Sequence, residues 1–436
     1  MRLTRIVLKN FRCFELLELD LHPDTNLILG INGAGKSSLL AALAVALGAW
    51  FLGFPDLPTQ PIRREDVRLV RKEHPQPSLE RAWPSSVSVN GIVQGRLRSW
   101  TRALRHSNGR TTTGEASQLR ALAQEAAQHL LAEEAVELPV LAYYSAGRLW
   151  LERRASAMAQ APESLGSRLE GYRACLEAAS DPDALLHWMR WRERIRLQEI
   201  ARAIEREQLI DPTGWRDLSA VEAAVKACLP EIERFFYSAN HEELRVELKD
   251  GALIPFALLS DGYRSLISLV ADLAWRAARL NPHLGADAAK LAQGVVLIDE
   301  IDAHLHPTWQ HLVLERLRQT FPNLQLIVST HSPQVLSTAH PEWLIPLQQQ
   351  RALTSQVPVR GRDVNTILRE VMGADARPRW AQEKLAALEA ALEEEHLERA
   401  RALLHELQDD LGEQDASLLG LEWELHDQEV HRAPHS

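Results

Sequence analysis

The eight residues Gly30 to Ser37, GINGAGKS, constrain this chain more than any other stretch. They follow the short apolar run NLIL and open without a break into SLLAALAVALGAW, so a buried strand passes through a glycine-rich loop into an Ala/Leu helix. The spacing G-x4-G-K-S in that context is the P-loop pattern. Glycines let backbone N–H groups close around phosphate oxygens, and the helix adds the positive end of its dipole. Asn32, Gly33, Ala34, Gly35, Lys36, Ser37 and Ser38 are therefore the expected contacts to ATP, with Lys36 on the terminal phosphates and the Ser37 hydroxyl offered to Mg²⁺.

Two later runs end in polar residues as a strand of the same sheet would. GVVLIDE, Gly294 to Glu300, delivers Asp299 and Glu300; Asp299 is expected to help hold hydrated Mg²⁺ and Glu300 to polarise the attacking water. IVSTHS, Ile327 to Ser332, brings Thr330, His331 and Ser332 to the strand end where ligands bind in a parallel α/β sheet, which makes His331 a candidate γ-phosphate sensor. A fourth stretch, LSDGYRS at 259–265, precedes the helix SLISLVADLAWRAARL. Locally, Ser260 reads as an N-cap and Asp261 as a first-turn acid, and nothing more is required of them.

Taken in order, the P-loop, LSDGYRS, GVVLIDEIDAHLHP and IVSTHS resemble the ABC-type ATPase heads of RecF, the SMC proteins and the overcoming-lysogenization-defect ATPases. The resemblance covers Met1 to about Ile62 and Leu244 to Leu347. It implies an α/β fold: an ABC-type P-loop head with a mixed β-sheet, flanking helices and an antiparallel β lobe, carrying a helical insertion and a helical C-terminal region. In such heads the LSxG signature of one protomer caps the ATP held by another, so Ser260 and the Gly262 backbone are implied γ-phosphate contacts in trans. Asp302 then falls in the D-loop crossing the same interface. Asp261 departs from the LSGGQ of transporters, and a carboxylate near phosphate must either turn away or weaken the closed dimer. No Gln-loop can be placed: Gln94 lies in an expected hairpin, and LAYYSAGR carries no glutamine. His304 and His306 share the His-x-His spacing of metal ligands, a weak signal by itself.

LPVLAYYSAGRLW, SRLEGYRACL, FPNLQLIVSTHSPQVLS and GRDVNTILREVMG extend a narrower resemblance, across nearly the whole chain, to ATP-binding proteins related to PtuA of Septu and some retron antiphage systems. Members are typically encoded beside a small HNH endonuclease. The resemblance therefore implies an ATP-dependent sensor that restrains or licenses a nuclease, a homodimer or higher homo-oligomer formed through an ATP sandwich, and DNA or a retron nucleic acid as a further partner. No HNH, Toprim-type DxD or Cys/His cluster is seen, so no nuclease site is expected in the chain itself.

Four regions are expected: 1–148, the first half of the head with P-loop and β lobe; 149–240, a helical insertion; 241–350, the second half; and 351–436, an acidic helical region open to partner docking. Residues 52–84 read as Pro-rich and irregular, and Asn90–Gly91 as a hairpin turn. The formal charge of −10 belongs to the tail, since from Ala381 onward fifteen Asp/Glu face four Lys/Arg. Three cysteines form no CxxC pair, which argues against a disulfide framework or zinc ribbon. The N-terminus alternates like a strand and no apolar run reaches a span of roughly 20 residues, so a cytoplasmic, non-membrane protein is expected. A RecF-like DNA-binding clamp in repair stays open, with RWRERIRLQEIARAIER as its basic face, although Glu193, Glu199 and Glu205 interleave with the arginines. A transporter subunit is disfavoured by the long insert before Ser260 and the missing LSGGQ.

Overall fold

Three runs in this sequence are apolar on every residue or nearly so, which suits strands covered on both faces. In the computed structural model they are the wholly buried strands at the centre of a six-stranded sheet. The structure describes residues 1–72, 78–146, 167–177, 182–209, 215–353, 358–375 and 377–432. It comprises two compact units, Met1–Arg362 and Asp363–Ser436.

In chain order the strands are β1 (Arg2–Phe11), β2 (Phe14–Asp20), β3 (Thr25–Leu29), β4 (Leu69–Lys72), β5 (Ser78–Arg81), β6 (Ser85–Val93), β7 (Arg96–Leu104), β8 (Val140–Tyr144), β9 (Ile232–Ser238), β10 (Glu243–Leu248), β11 (Leu253–Pro255), β12 (Gly294–Ile298), β13 (Leu324–Ser329), β14 (Leu344–Gln348) and β15 (Arg351–Ala352). The central sheet has the order β15-β14-β3-β13-β12-β8 and is parallel except for β15. A four-stranded antiparallel lobe, β2-β1-β6-β7, lies beside it, and the P-loop helix (Lys36–Leu47) touches both. The fold is thus the mixed sheet, antiparallel lobe and flanking helices expected of an ABC-type head.

One buried glutamine joins lobe to sheet. Gln325 on β13 accepts from the Leu3 N–H at 2.7 Å and donates to the carbonyls of Leu3 (2.8 Å) and His22 (2.9 Å). That satisfies the amide and fixes where β1 begins, because an unpaired amide in this position would cost about 1–3 kcal/mol.

Several local expectations need correction. The turn between β6 and β7 is Gln94–Gly95, both at positive φ (49° and 73°), as a two-residue type I′ turn needs. Asn90 and Gly91 lie inside β6, where a Gly91 Cβ would sit 2.6 Å from the Arg2 carbonyl oxygen. The Pro-rich 52–84 stretch holds the short hairpin β4–β5. The helical insertion of 149–240 contains the helices Pro182–Glu205 and Arg216–Cys228 but closes with β9, whose alternation IERFFYS buries Ile232, Phe235 and Tyr237. Its residues 149–166, 178–181 and 210–214 lie outside those described. One segment, Lys36–Gly53, is apolar and long enough to cross a membrane by composition; it is the P-loop helix with its following turn and is mostly buried in the core.

The second unit is helical: Val364–Glu370, Arg379–Glu393, Leu397–Leu411 and Ala416–Arg432. The last three share a core of Leu388, Leu392, Leu404, Leu407, Leu418 and Leu425. Lys384 bridges Glu406 and Asp410, both at 2.8 Å, and Arg377 meets Asp415 at 2.7 Å.

Candidate nucleotide site

The P-loop leaves β3 and enters its helix at Gly35, whose φ of 106° lies outside the range of most L side chains. A Cβ there would also lie 2.5 Å from the Phe14 ring and 2.9 Å from the Cys13 sulfur, so the β1–β2 turn presses the loop from behind. Asn32, Gly33 and Ser37 are exposed, Ser38 is half-buried and Ala34 is buried. Lys36 folds back over the loop, its Nζ donating to the carbonyls of Gly30 at 2.8 Å and Ile31 at 3.2 Å. Burial lowers its pKa, against which the fields of Asp299, Glu300 and Asp302 act upward. The charges of those three acids thus act on the P-loop lysine through space, although Lys36 and Asp299 are 263 positions apart in sequence.

Asp299 follows β12 and is almost wholly buried. Its Oδ1 accepts a 2.5 Å hydrogen bond from the Ser329 hydroxyl at the end of β13, and the same oxygen of Ser329 accepts from the Glu300 N–H at 2.9 Å. One hydroxyl thus holds both acids. Glu300 sits at φ 49°, a left-handed conformation that costs about 1–3 kcal/mol and persists because its neighbours determine it. Ser329 was not among the expected site residues; the signal was there, as the polar residue that ends a strand buried along its whole length, where a hydroxyl must find partners.

Asp302 turns toward the loop after β13. It accepts from the Thr330 hydroxyl at 2.5 Å and from the His331 N–H at 3.3 Å. Gln310 makes a second tie: its amide donates to the Leu305 carbonyl at 2.9 Å and accepts from the Ser332 hydroxyl at 2.7 Å. His331, half-buried, is carried on a loop fastened at both of these points.

The loop LSDGYRS lies against the loop that follows β12 in its own chain. A Cβ on Gly262 would fall 2.7 Å from the His304 carbonyl oxygen, so close packing explains the glycine locally. Tyr263 meets Trp309 edge-on at 4.6 Å. Ser260 occupies the N-cap position with extended backbone, yet its side chain makes no capping bond and is exposed, so the hydroxyl is open to a ligand. Asp261 turns back to Arg264 at 2.5 Å, which lowers its pKa and draws the carboxylate away from the exposed Ser260. His306 accepts from the Thr308 N–H at 3.4 Å, and no group of three or more His, Cys, Asp or Glu placed for a metal occurs among the described residues. Gln94 lies in the β6–β7 turn of the antiparallel lobe.

Beside the P-loop helix is a cavity of about 660 Å³, lined among others by Ala44, Arg12, Gln60, Arg63 and Tyr143. Arg12 Nε donates to Asp66 at 2.8 Å across its rim. Burial, with the field of Asp299 added, pushes the Tyr143 phenol up to about 12.

Residues 5–233 match the family model of an AAA domain, and residues 193–337 match a second AAA domain described as a putative AbiEii toxin of a type IV toxin–antitoxin system. The retron Vc95 probable ATPase of Vibrio cholerae is 27% identical over 387 residues, 78% of this chain and 72% of that protein. The retron Ec83 probable ATPase of Escherichia coli is 34% identical over 163 residues, 37% of this chain and 30% of that protein. The Septu protein PtuA of Bacillus thuringiensis is 32% identical over 155 residues, 34% of this chain and 39% of that protein. Among solved structures, the SMC head domain from Thermotoga maritima aligns with a TM-score of 0.43 at 14% identity, over 79% of this chain and 94% of that one.

Proposed function

The chain belongs to the AAA-domain ATPase family, and from that premise we propose that it closes ATP between two copies, hydrolyses it, and through that cycle governs a separate nuclease in phage defence. The observation that carries the reading is that Lys36, after β3, and the acids Asp299 and Glu300, after β12, lie at the carboxyl ends of the two strands that flank β13, whose Ser329 holds both acids.

Backbone N–H groups of Gly33 to Ser38 and the end of the helix dipole hold the phosphates, and Lys36 exchanges its two carbonyl partners for phosphate oxygens. Mg²⁺ is a hard cation that takes oxygen donors, and the exposed Ser37 hydroxyl and the Asp299 carboxylate fit it; when bound it neutralises phosphate charge. Glu300 takes the proton of the attacking water, and His331 donates to a γ-phosphate oxygen. Ser260 and the Gly262 backbone act on the ATP of the second copy, with Asp302 joining the two sites through its bonds to Thr330 and His331.

The retron and Septu relatives support the defence role, and a small HNH endonuclease is the partner that this reading assigns. The DNA-clamp reading draws no support from the Pro182–Glu205 helix: Arg190 pairs with Glu242 at 3.1 Å, Arg192 with Asp217 at 2.7 Å and Arg196 with Glu193 at 2.6 Å.

The test is complementation. Lys36→Ala and Ser260→Arg proteins are each expected to be inactive; an equal mixture restores about a quarter of wild-type turnover, because half the dimers are mixed and each mixed dimer carries one intact site. No recovery, with both variants folded, contradicts sites formed in trans.

A further inference from the structure

The cavity beside the P-loop helix takes no part in the chemistry described so far. It is built from separate parts of the chain: the β1–β2 turn, the P-loop helix, the stretch 51–66, β8 and residues 172–177. None of Gly33 to Ser38 lines it. Its volume of about 660 Å³ falls within the range of small-molecule sites. Ala41, Ala44 and Val45 stand three and four positions apart on one face of the helix and give the cavity a shallow apolar floor.

The charges around it are already matched. Arg12 Nε donates to Asp66 Oδ1 at 2.8 Å, the other oxygen of Asp66 accepts from the Arg63 N–H at 2.9 Å, and the Arg63 side chain meets Glu65 at 3.7 Å. Glu177 is exposed to solvent. An ionic ligand would therefore shed water without gaining a counter-charge, which disfavours it. The polar groups left over are neutral: the Tyr143 phenol and the Gln60 amide line the cavity, and neither makes a hydrogen bond among the described residues. Gln60 presents a carbonyl and an NH₂ in one plane, the pairing that meets the edge of a nucleobase. We propose that this cavity binds an uncharged nucleobase or nucleoside, its ring over the Ala41–Val45 floor and its donor–acceptor edge on Gln60 and Tyr143. The inference goes beyond the functional reading above and does not rest on it.

Saturation-transfer NMR on the full chain tests it, with adenosine, guanosine, cytidine and thymidine as probes and indole as a flat ring without the paired edge. Each is titrated with the P-loop empty and with a saturating, non-hydrolysable ATP analogue present. At least one nucleoside is expected to bind in both conditions with a Kd of about 1 mM or below, and indole about tenfold or more weakly. Gln60→Leu lowers that affinity at least about fivefold by removing the paired edge. Ala41→Leu fills the floor and abolishes binding; Gln60→Leu lies off the P-loop helix, so the test stands even where Ala41→Leu disturbs that helix. A chain that takes up no ATP analogue contradicts the ATPase reading and leaves the nucleoside titration to decide the cavity, so the two failures are distinguishable. Absence of nucleoside binding, displacement by the ATP analogue, indole binding as tightly as a nucleoside, or indifference to Gln60→Leu overturns the proposal.

Discussion

Ser329→Ala removes a single oxygen from the ATPase unit, and the structure says what that oxygen holds. It donates to Asp299 at 2.5 Å and accepts from the Glu300 N–H at 2.9 Å, with the side chain wholly buried. A hydrogen bond to a charged group contributes roughly 1.5–3 kcal/mol net, and a buried N–H left unpaired costs about 1–3 kcal/mol. The two overlap, because local relaxation can ease one at the expense of the other, so the loss expected is about 2–4 kcal/mol. For the unit Met1–Arg362 that lowers Tm by roughly 3–5 °C. The functional effect is separate. Glu300 is held at φ 49° by this contact, and its release from that geometry is expected to lower kcat at least about tenfold while leaving KM near wild type, since the P-loop is untouched. Thermal unfolding and phosphate release on the same preparation test both statements. A variant within about 0.5 kcal/mol of wild type, turning over at the wild-type rate, would refute the idea that Ser329 positions the two acids.

Arg102 on β7 is 1% exposed, burial holds its guanidinium down to about 10, and its Nε and Nη1 find no hydrogen-bond partner. Replacing an isolated buried charge with an apolar side chain of similar length commonly stabilises, so Arg102→Met should raise stability by about 1–2 kcal/mol in a thermal melt, and a fall would show that the charge is compensated. Burial pushes the thiols of Cys175 and Cys228 up to about 12, from an ordinary 9.0. Stability linked to them is complete below pH 9 and is lost as pH rises toward 12, because the native state binds more protons in that window. At pH 8 both should resist a thiol reagent in the native protein and react once it is unfolded in urea; rapid native labelling of either would contradict their burial.

Much of this site was legible because strand ends are legible. GVVLIDE and IVSTHS each show an apolar run breaking into polar residues, and the P-loop fixes which ends of the sheet they must share. What pairing in space decides was not. Nothing in LSDGYRS reveals that Asp261 turns back to Arg264 or that Gly262 lies under the His304 carbonyl, since both follow from how two distant loops meet. Ser329 and Gln310 escaped for the same reason, as their importance is a property of the partners they join. The hairpin turn was misplaced because Asn-Gly is the stronger local signal, whereas the register of β6 against β1 requires glycine at 91 for close approach and leaves Gln94–Gly95 to make the turn. IERFFYS was absorbed into a helical insertion although its alternation suits a strand, which shows tertiary pairing overriding a boundary drawn from its neighbours.

The central claim is that ATP held on this P-loop is hydrolysed by a water that Glu300 activates. Single-turnover conversion of prebound, radiolabelled ATP to ADP by the wild type and by Glu300→Gln tests it most directly. The account predicts that both proteins hold ATP and that the variant converts it at least about a hundredfold more slowly; conversion by Glu300→Gln at the wild-type rate would contradict it.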